Sequence, residues 1–290
     1  MATTHCGSAP KPCWPASSET LGVLLKPGHR VRIALGVSYS GQAYQGWQSQ
    51  ASGLTVQDRL EGSLQQFTQR RVSTLCAGRT DSGVHALMQV VHFDTDVVRD
   101  AHAWVRGTNT HLPHDIAVEW AMQVPDTFHC RASAVSRRYV YVLRQSEVRP
   151  TVDAGRVGWT FHPLEGEAMR DSARYLTGEH DFSSFRASQC QAPSPVKHVY
   201  SISIAQRGAY WRFEFEANAF LHHMIRNIMG CFLQIGQGKR PPSWMQEVLL
   251  ARDRDAAAPT FSPSGLYFLG PRYPAAFNIP ERTPAYDWLP

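Results

Sequence analysis

Arg79, Thr80, Asp81, Ser82 and Gly83 stand between two apolar runs, 72–77 and 88–94, and are the residues of this chain whose types and spacing best suit chemistry. The flanking runs, rich in Val and Phe, predict two strands joined by a polar turn. A carboxylate and a guanidinium two positions apart on such a turn are well placed to meet a ligand, because a rigid scaffold presents them without disturbing its core. Asp, Ser and Gly are also ordinary turn residues, so composition alone is equally compatible with a solvated turn.

The elements that must position this turn follow from periodicity. Residues 31–39 alternate apolar and polar (Val31, Ile33, Leu35, Val37, Tyr39), the period of a strand with one buried face. After the loop GQAYQGWQSQ, Thr55 opens a helical pattern with Val56, Leu60, Leu64 and Phe67 on one face, and Asp58 stands where a capping-box partner would. A helix over 100–110 and a strand over 116–124 complete the order βαββαβ. Beyond Phe128 the order recurs: a strand over 135–143, a helix over 164–176, a hairpin of 199–206 and 210–217 across Arg207 and Gly208, helices over 220–235 and 243–251, and a strand over 265–270. No residue-level repeat accompanies this recurrence. The expectation is an α+β fold of two ferredoxin-like (βαββαβ-type) halves, 31–127 and 128–275, with a central cleft between them. A Pro-, Ser- and Thr-rich extension over 1–30 reads as disordered, and 276–290 as a C-terminal tail.

Composition narrows the classes. The 290 residues are 43% hydrophobic and 18% charged, and no apolar run approaches the ~18 residues of a membrane span, so the expectation is a soluble protein. The net charge of +5 rests on 25 Arg against 4 Lys. Arginine's planar fork suits phosphate contacts and base stacking, which is compatible with a nucleic-acid partner. Six cysteines form no CxxC pair, and no signal peptide precedes them, so a reducing cytoplasm is the expected compartment.

Five segments carry a family resemblance: GRTDSGVHA followed by QVVHF, FHCRASAVSRRYVYVL (128–143), HDFSSFRASQCQ (180–191), ANAFLHHMIRNIMG (217–230) and SGLYFLG (264–270). In order and content they resemble the tRNA pseudouridine synthases of the TruA type, across nearly all of residues 31–273. The resemblance implies a pseudouridine-synthase core and isomerisation of uridine to pseudouridine in the anticodon stem-loop, at positions 38 to 40 of the tRNA, with no cofactor, no metal and a homodimer that binds tRNA across both subunits. It implies Asp81 as the catalytic carboxylate and Tyr139 as the tyrosine that contacts the base and serves the C5 proton transfer. Arg226 is the implied partner of the Asp, and Arg79 occupies the space of the extruded base. RNA contacts map onto Arg99, Phe128, His129 and Arg131, and onto Ala187, Ser188, Gln189, Cys190 and Gln191. Read without the resemblance, Tyr139 is a packing residue of an alternating strand, with Tyr141 on the same face, and Arg226 is an exposed helical charge. His222 and His223 read as packing or surface residues. Met88 stands where relatives carry a small residue, and the extension 1–30 has no counterpart in shorter members.

The alternative is a non-catalytic RNA-binding protein on a ferredoxin-like platform, which predicts stacking aromatics on an open sheet face, but the RNP1 pattern is absent. A zinc nucleobase deaminase lacks its HxE and CxxC. GCFLQIGQGK (230–239) has the wrong spacing for a phosphate loop. The thirteen histidines include no HExxH.

Overall fold

The alternation of Val31, Ile33, Leu35 and Val37 becomes β1 (Val31–Tyr39) in the computed structural model, which describes residues 30–281. The first half continues with α1 (Val56–Thr68), β2 (Leu75–Cys76), β3 (His85–Thr95), α2 (Ala101–Asn109) and β4 (Ile116–Val124). The second holds β5 (Ser136–Gln145), β6 (Gly158–Thr160), α3 (Gly166–Ala173), β7 (Gly178–Asp181), β8 (Val196–Arg207), β9 (Tyr210–Ala217), α4 (Met224–Gly236), α5 (Trp244–Ala251) and β10 (Leu266–Arg272). The reading of 1–30 as disordered and the end of the predicted tail lie outside the described residues, apart from Arg30. The tail's described part is packed, with Phe277 5.2 Å from the Phe128 ring centroid.

All ten strands belong to one sheet whose main path runs β4-β1-β3-β10-β5-β9-β8-β7, with β2 on β3 and β6 beside β5. Within this path the order β4-β1-β3-β2 and the order β10-β5-β9-β8 are the same arrangement used twice, each antiparallel throughout. The recurrence of elements in the sequence is therefore a recurrence of topology. The halves join because β2 is short: it pairs with Val91 and His92, leaving the edge of β3 at His85 and Ala86 to parallel pairing with β10. The strand predicted over 72–77 is observed over two residues, and beyond it the buried Gln89 side chain takes the Gly78 N–H and donates to the Gly78 carbonyl.

All five helices feed one core against one face of the sheet, where Leu60, Trp104, Met169, Phe232 and Met245 are buried. Phe232 of α4 lies against Phe213 and Phe215 of β9, at 5.8 and 6.5 Å between ring centroids. Such side chains each stabilise the fold by roughly 1.5–3 kcal/mol through burial. The other face is covered by chain outside the helices, over smaller clusters around Phe128 and Tyr273 and around Val142 and Tyr267. Helix boundaries follow their caps: Thr55 accepts from the Asp58 N–H, and Asp100 accepts from the Ala103 N–H at 2.7 Å. The helix expected over 220–235 begins four residues late, at Met224, because His223 adopts φ +63°.

Two expectations concern stability. Thr55→Ala removes a cap and lowers unfolding free energy by about 1 kcal/mol in urea titration. Gly46 sits at φ +87°, where a Cβ would stand 2.7 Å from the Thr80 carbonyl oxygen. Gly46→Ala therefore costs about 1–3 kcal/mol, read as a lower melting temperature, and unchanged melting would mean that the 80s loop yields freely.

Candidate active site

Asp81 lies on the connection from β2 to β3, and a neighbouring loop fixes its backbone. Val84 N–H bonds the Asp81 carbonyl at 3.1 Å, closing a turn whose third residue, Gly83, needs its φ of +78°. Trp47 N–H donates to the Thr80 carbonyl (3.0 Å), Ser82 Oγ donates to the Tyr44 carbonyl (3.1 Å), and the Tyr39 and Thr80 hydroxyls bond at 2.7 Å. The loop GQAYQGWQSQ, which carried no role in the sequence, is thus the buttress of the Asp81 turn. Its fully buried Trp47 is the anchor.

The Asp81 side chain is 18% exposed and meets three donors from the start of α4. Arg226 Nη1 donates to Oδ2 at 3.2 Å, His223 Nε2 stands 3.5 Å from the same oxygen, and His222 Nε2 stands 3.4 Å from Oδ1. Burial pushes the Asp81 carboxyl up, but His222, His223 and Arg226 together outweigh it and hold the group below the usual carboxylate range. The Asp81 contact raises His222, while burial lowers His223. Arg226 supplies fixed positive charge beside Asp81, while His222 holds its proton more firmly than a free imidazole and His223 less firmly. Arg226 is itself fastened, donating from Nε to the Phe261 carbonyl at 2.9 Å and accepting the Phe261 N–H at 3.1 Å.

Tyr139, on β5, is 8% exposed. Its ring lies 4.8 Å from Phe268 and edge-on to Phe220 at 5.1 Å. Its hydroxyl points toward the Asp81 turn: a Cβ on Gly78 would be 3.8 Å from it. Burial, with Tyr39 and Asp81 nearby, raises the phenol, so at rest it is protonated. Tyr141 shares its face, but its hydroxyl is committed to the Ser262 carbonyl at 2.9 Å.

The remaining residues are placed unevenly. Arg79 is exposed beside Asp81. The 187–190 turn packs on His222, with Ala187 N–H on the His222 carbonyl (3.0 Å) and His222 N–H on Cys190 Sγ (3.4 Å). Ser188, Gln189 and Gln191 are exposed there. Arg131 is exposed, and its carbonyl accepts from Arg137 at 2.5 Å. His129 is half-buried, with Nδ1 taking the N–H groups of Arg131 and Ala132. Arg99 is exposed ahead of α2, and its guanidinium donates to the Val98 carbonyl at 2.8 Å, outside the Asp81 cluster. Phe128 is fully buried against Tyr273 and Phe277, so its ring packs in the core. The histidine pair was missed. Its spacing of three and four residues from Arg226 was the available signal.

Two side-chain groups have donor sets suited to a metal, Asp81 with His222 and His223, and His92 with His129 and Cys130. In the first, Arg226 already places positive charge on Asp81. In the second, both imidazoles accept backbone N–H groups at Nδ1, which leaves hydrogen on Nε2, and burial pushes the Cys130 thiol up to about 12. The second set therefore presents no free imidazole lone pair to a metal. Two concavities of about 710 and 550 Å³ lie around His85 with Arg156 and around Arg59 with His111, and Asp81 lines neither.

The comparisons agree with this chemistry. The family described as tRNA pseudouridine synthase matches residues 36–131 and 172–274. Among similar proteins, the tRNA pseudouridine synthase A of Albidiferax ferrireducens is 68% identical over 90% of this chain and all of its own length. That of Delftia acidovorans is 62% identical over the same shares. A solved Cbf5-Nop10-Gar1 complex overlaps at a TM-score of 0.33 and 12% identity, covering 81% of this chain and 48% of that one, a likeness too slight to build on. An ionised carboxylate held by arginine over a buried tyrosine is thus met in a chain that belongs to the tRNA pseudouridine synthase family, isomerases that convert uridine to pseudouridine.

Proposed function

We propose that this tRNA pseudouridine synthase acts on uridines of the anticodon stem-loop, at positions 38 to 40, with Asp81 as the reacting carboxylate, Tyr139 at the base and Arg226 holding the carboxylate. The observation that carries the assignment of Asp81 is its retention as a free carboxylate despite burial, through Arg226 at 3.2 Å and the two histidines. The reaction breaks the N1–C1′ bond and forms C5–C1′, so the product gains an N1–H, loses its C5–H and keeps its formula. Attack at the sugar and removal of a sugar proton both require Asp81 ionised at the outset. Tyr139, resting as a phenol, suits a hydrogen-bonding and proton-passing role at C5 rather than that of a standing base. Arg79, exposed beside the turn, is placed to fill the stack left by an extruded base, offsetting part of a cost of a few kcal/mol.

The exposed Arg79 and Arg131 and the exposed 188–189 segment support phosphate and sugar contacts flanking Asp81. A homodimer spanning one tRNA and a cytoplasmic location belong to the same reading and rest on the resemblance in sequence. Among the described residues no helix is long and apolar enough to cross a membrane.

Tritium release from tRNA labelled at uridine C5 tests the assignment. Asp81→Asn is expected to lose about 10²–10⁴-fold in rate while binding tRNA as wild type does; release at an undiminished rate would remove Asp81 from the chemistry. Tyr139→Phe keeps the ring packing, and we expect an unchanged melting temperature with slowed release. Arg226→Lys cannot bridge Asp81 and Phe261 together, and a loss of about 10–100-fold is expected from a charge-assisted hydrogen bond worth about 1.5–3 kcal/mol.

A further inference from the structure

Two consecutive side chains seldom serve one group, since neighbours in a helix or strand diverge. His222 and His223 do so here: their Nε2 atoms stand 3.4 and 3.5 Å from the two oxygens of Asp81, and their rings lie 4.0 Å apart. What brings them together is the backbone of His223, at φ +63°, a conformation that strains a residue carrying a side chain. His223 also occupies the N-cap of α4 without capping it, its ring being turned to Asp81 instead. The preceding peptide is tied at both ends to the 187–190 turn, through the His222 carbonyl and the His222 N–H.

We propose that His222 and His223 are positioning residues of the reaction, a paired clamp that holds both oxygens of Asp81 and keeps it the free carboxylate while substrate is bound. The inference rests on the reading of Asp81 as the reacting group. The two members differ in part. His222, raised by its contact with Asp81, brings positive charge to Oδ1 when protonated. His223, lowered by burial, sets its Nε2 3.5 Å from Oδ2, where Arg226 already supplies charge. The other titratable or charged groups that bear on the trio are Arg226 on α4, Arg254 in the turn after α5, Cys190 beside His222, with Arg186 acting on Cys190, and Tyr139 on β5. His222 is the histidine of the pair that its contact with Asp81 raises.

The sign of the pH effect follows. Asp81 is depressed, so wild type keeps it ionised down through mildly acid pH. Without the His222 charge, burial is opposed by less, and the Asp81 midpoint moves up.

Single-turnover tritium release between pH 5 and 8.5, with tRNA affinity and melting temperature measured alongside, tests the clamp. His222→Gln keeps a donor at the same reach and removes the charge. We expect its rate to approach wild type at pH 8.5 and to fall by up to about tenfold per pH unit below its new midpoint, while wild type stays nearly level on the acid side. A His222→Gln profile parallel to wild type, whether lower or equal, would overturn the electrostatic part. His223→Gly suits the positive φ; we expect unchanged or higher melting temperature with a slower rate, and a wild-type rate would overturn the part given to His223. Asp81→Asn run in parallel separates the two levels: if it retains activity, the reading beneath the inference fails, and if it is silent while the histidine variants behave as wild type, the inference alone fails.

Discussion

A carboxylate withdrawn from water takes up a proton unless donors replace the lost hydration, and the arrangement around Asp81 is organised by that requirement. The donors come from the start of α4, so the position of this one helix decides the state of the site. α4 is apolar on nearly every side and wedged against Phe213 and Phe215, leaving it little freedom to shift. Arg226 is bonded at its backbone and its guanidinium to Phe261, and the carboxylate turn is pinned by Tyr44 and Trp47. Core packing in one half and loop hydrogen bonding in the other thus meet across about 3 Å, at the contact between Arg226 and Asp81.

That meeting point coincides with the seam of the sheet. β2 stops after Cys76, β10 takes the remaining edge of β3, and the Asp81 turn leaves the sheet between them. Tyr139 reaches the same place from the next strand along, its ring against Phe268 of β10. A chain built from two copies of one topology brings residues 81, 139 and 226 together because its joint, rather than either copy, is where their elements converge.

How much of this the sequence disclosed depends on which force set each feature. β1 and β4 were legible to the residue, since alternation and flanking turns are local signals. The short β6 and β7 were not: Gly178–Asp181 carries no apolar alternation and exists by pairing with β8. The start of α4 was misread because Phe220 and Leu221 continue its apolar pattern, whereas the conformation of His223 answers to Asp81, 142 positions earlier. Periodicity could not separate Tyr139 from Tyr141, which share a face and differ in what their hydroxyls meet. Asp81 was visible as a polar turn between strands, while its ionised state depends on groups that no local pattern connects to it. Phe128 follows the exposed Pro125, Asp126 and Thr127, and the packing of Tyr273 and Phe277 reveals it as interior.

The parallel joint between β3 and β10 also has a temporal side. β10 is the last strand described, some 180 residues after β3, so a chain emerging from the ribosome carries a complete Asp81 turn long before the strand that joins its half to the other exists. Contacts so distant in sequence form late, because the loop must close before they repay its entropy. Until then the edge of β3 is an unpaired row of backbone groups. Joining of the two halves through this pair therefore depends on the last strand described.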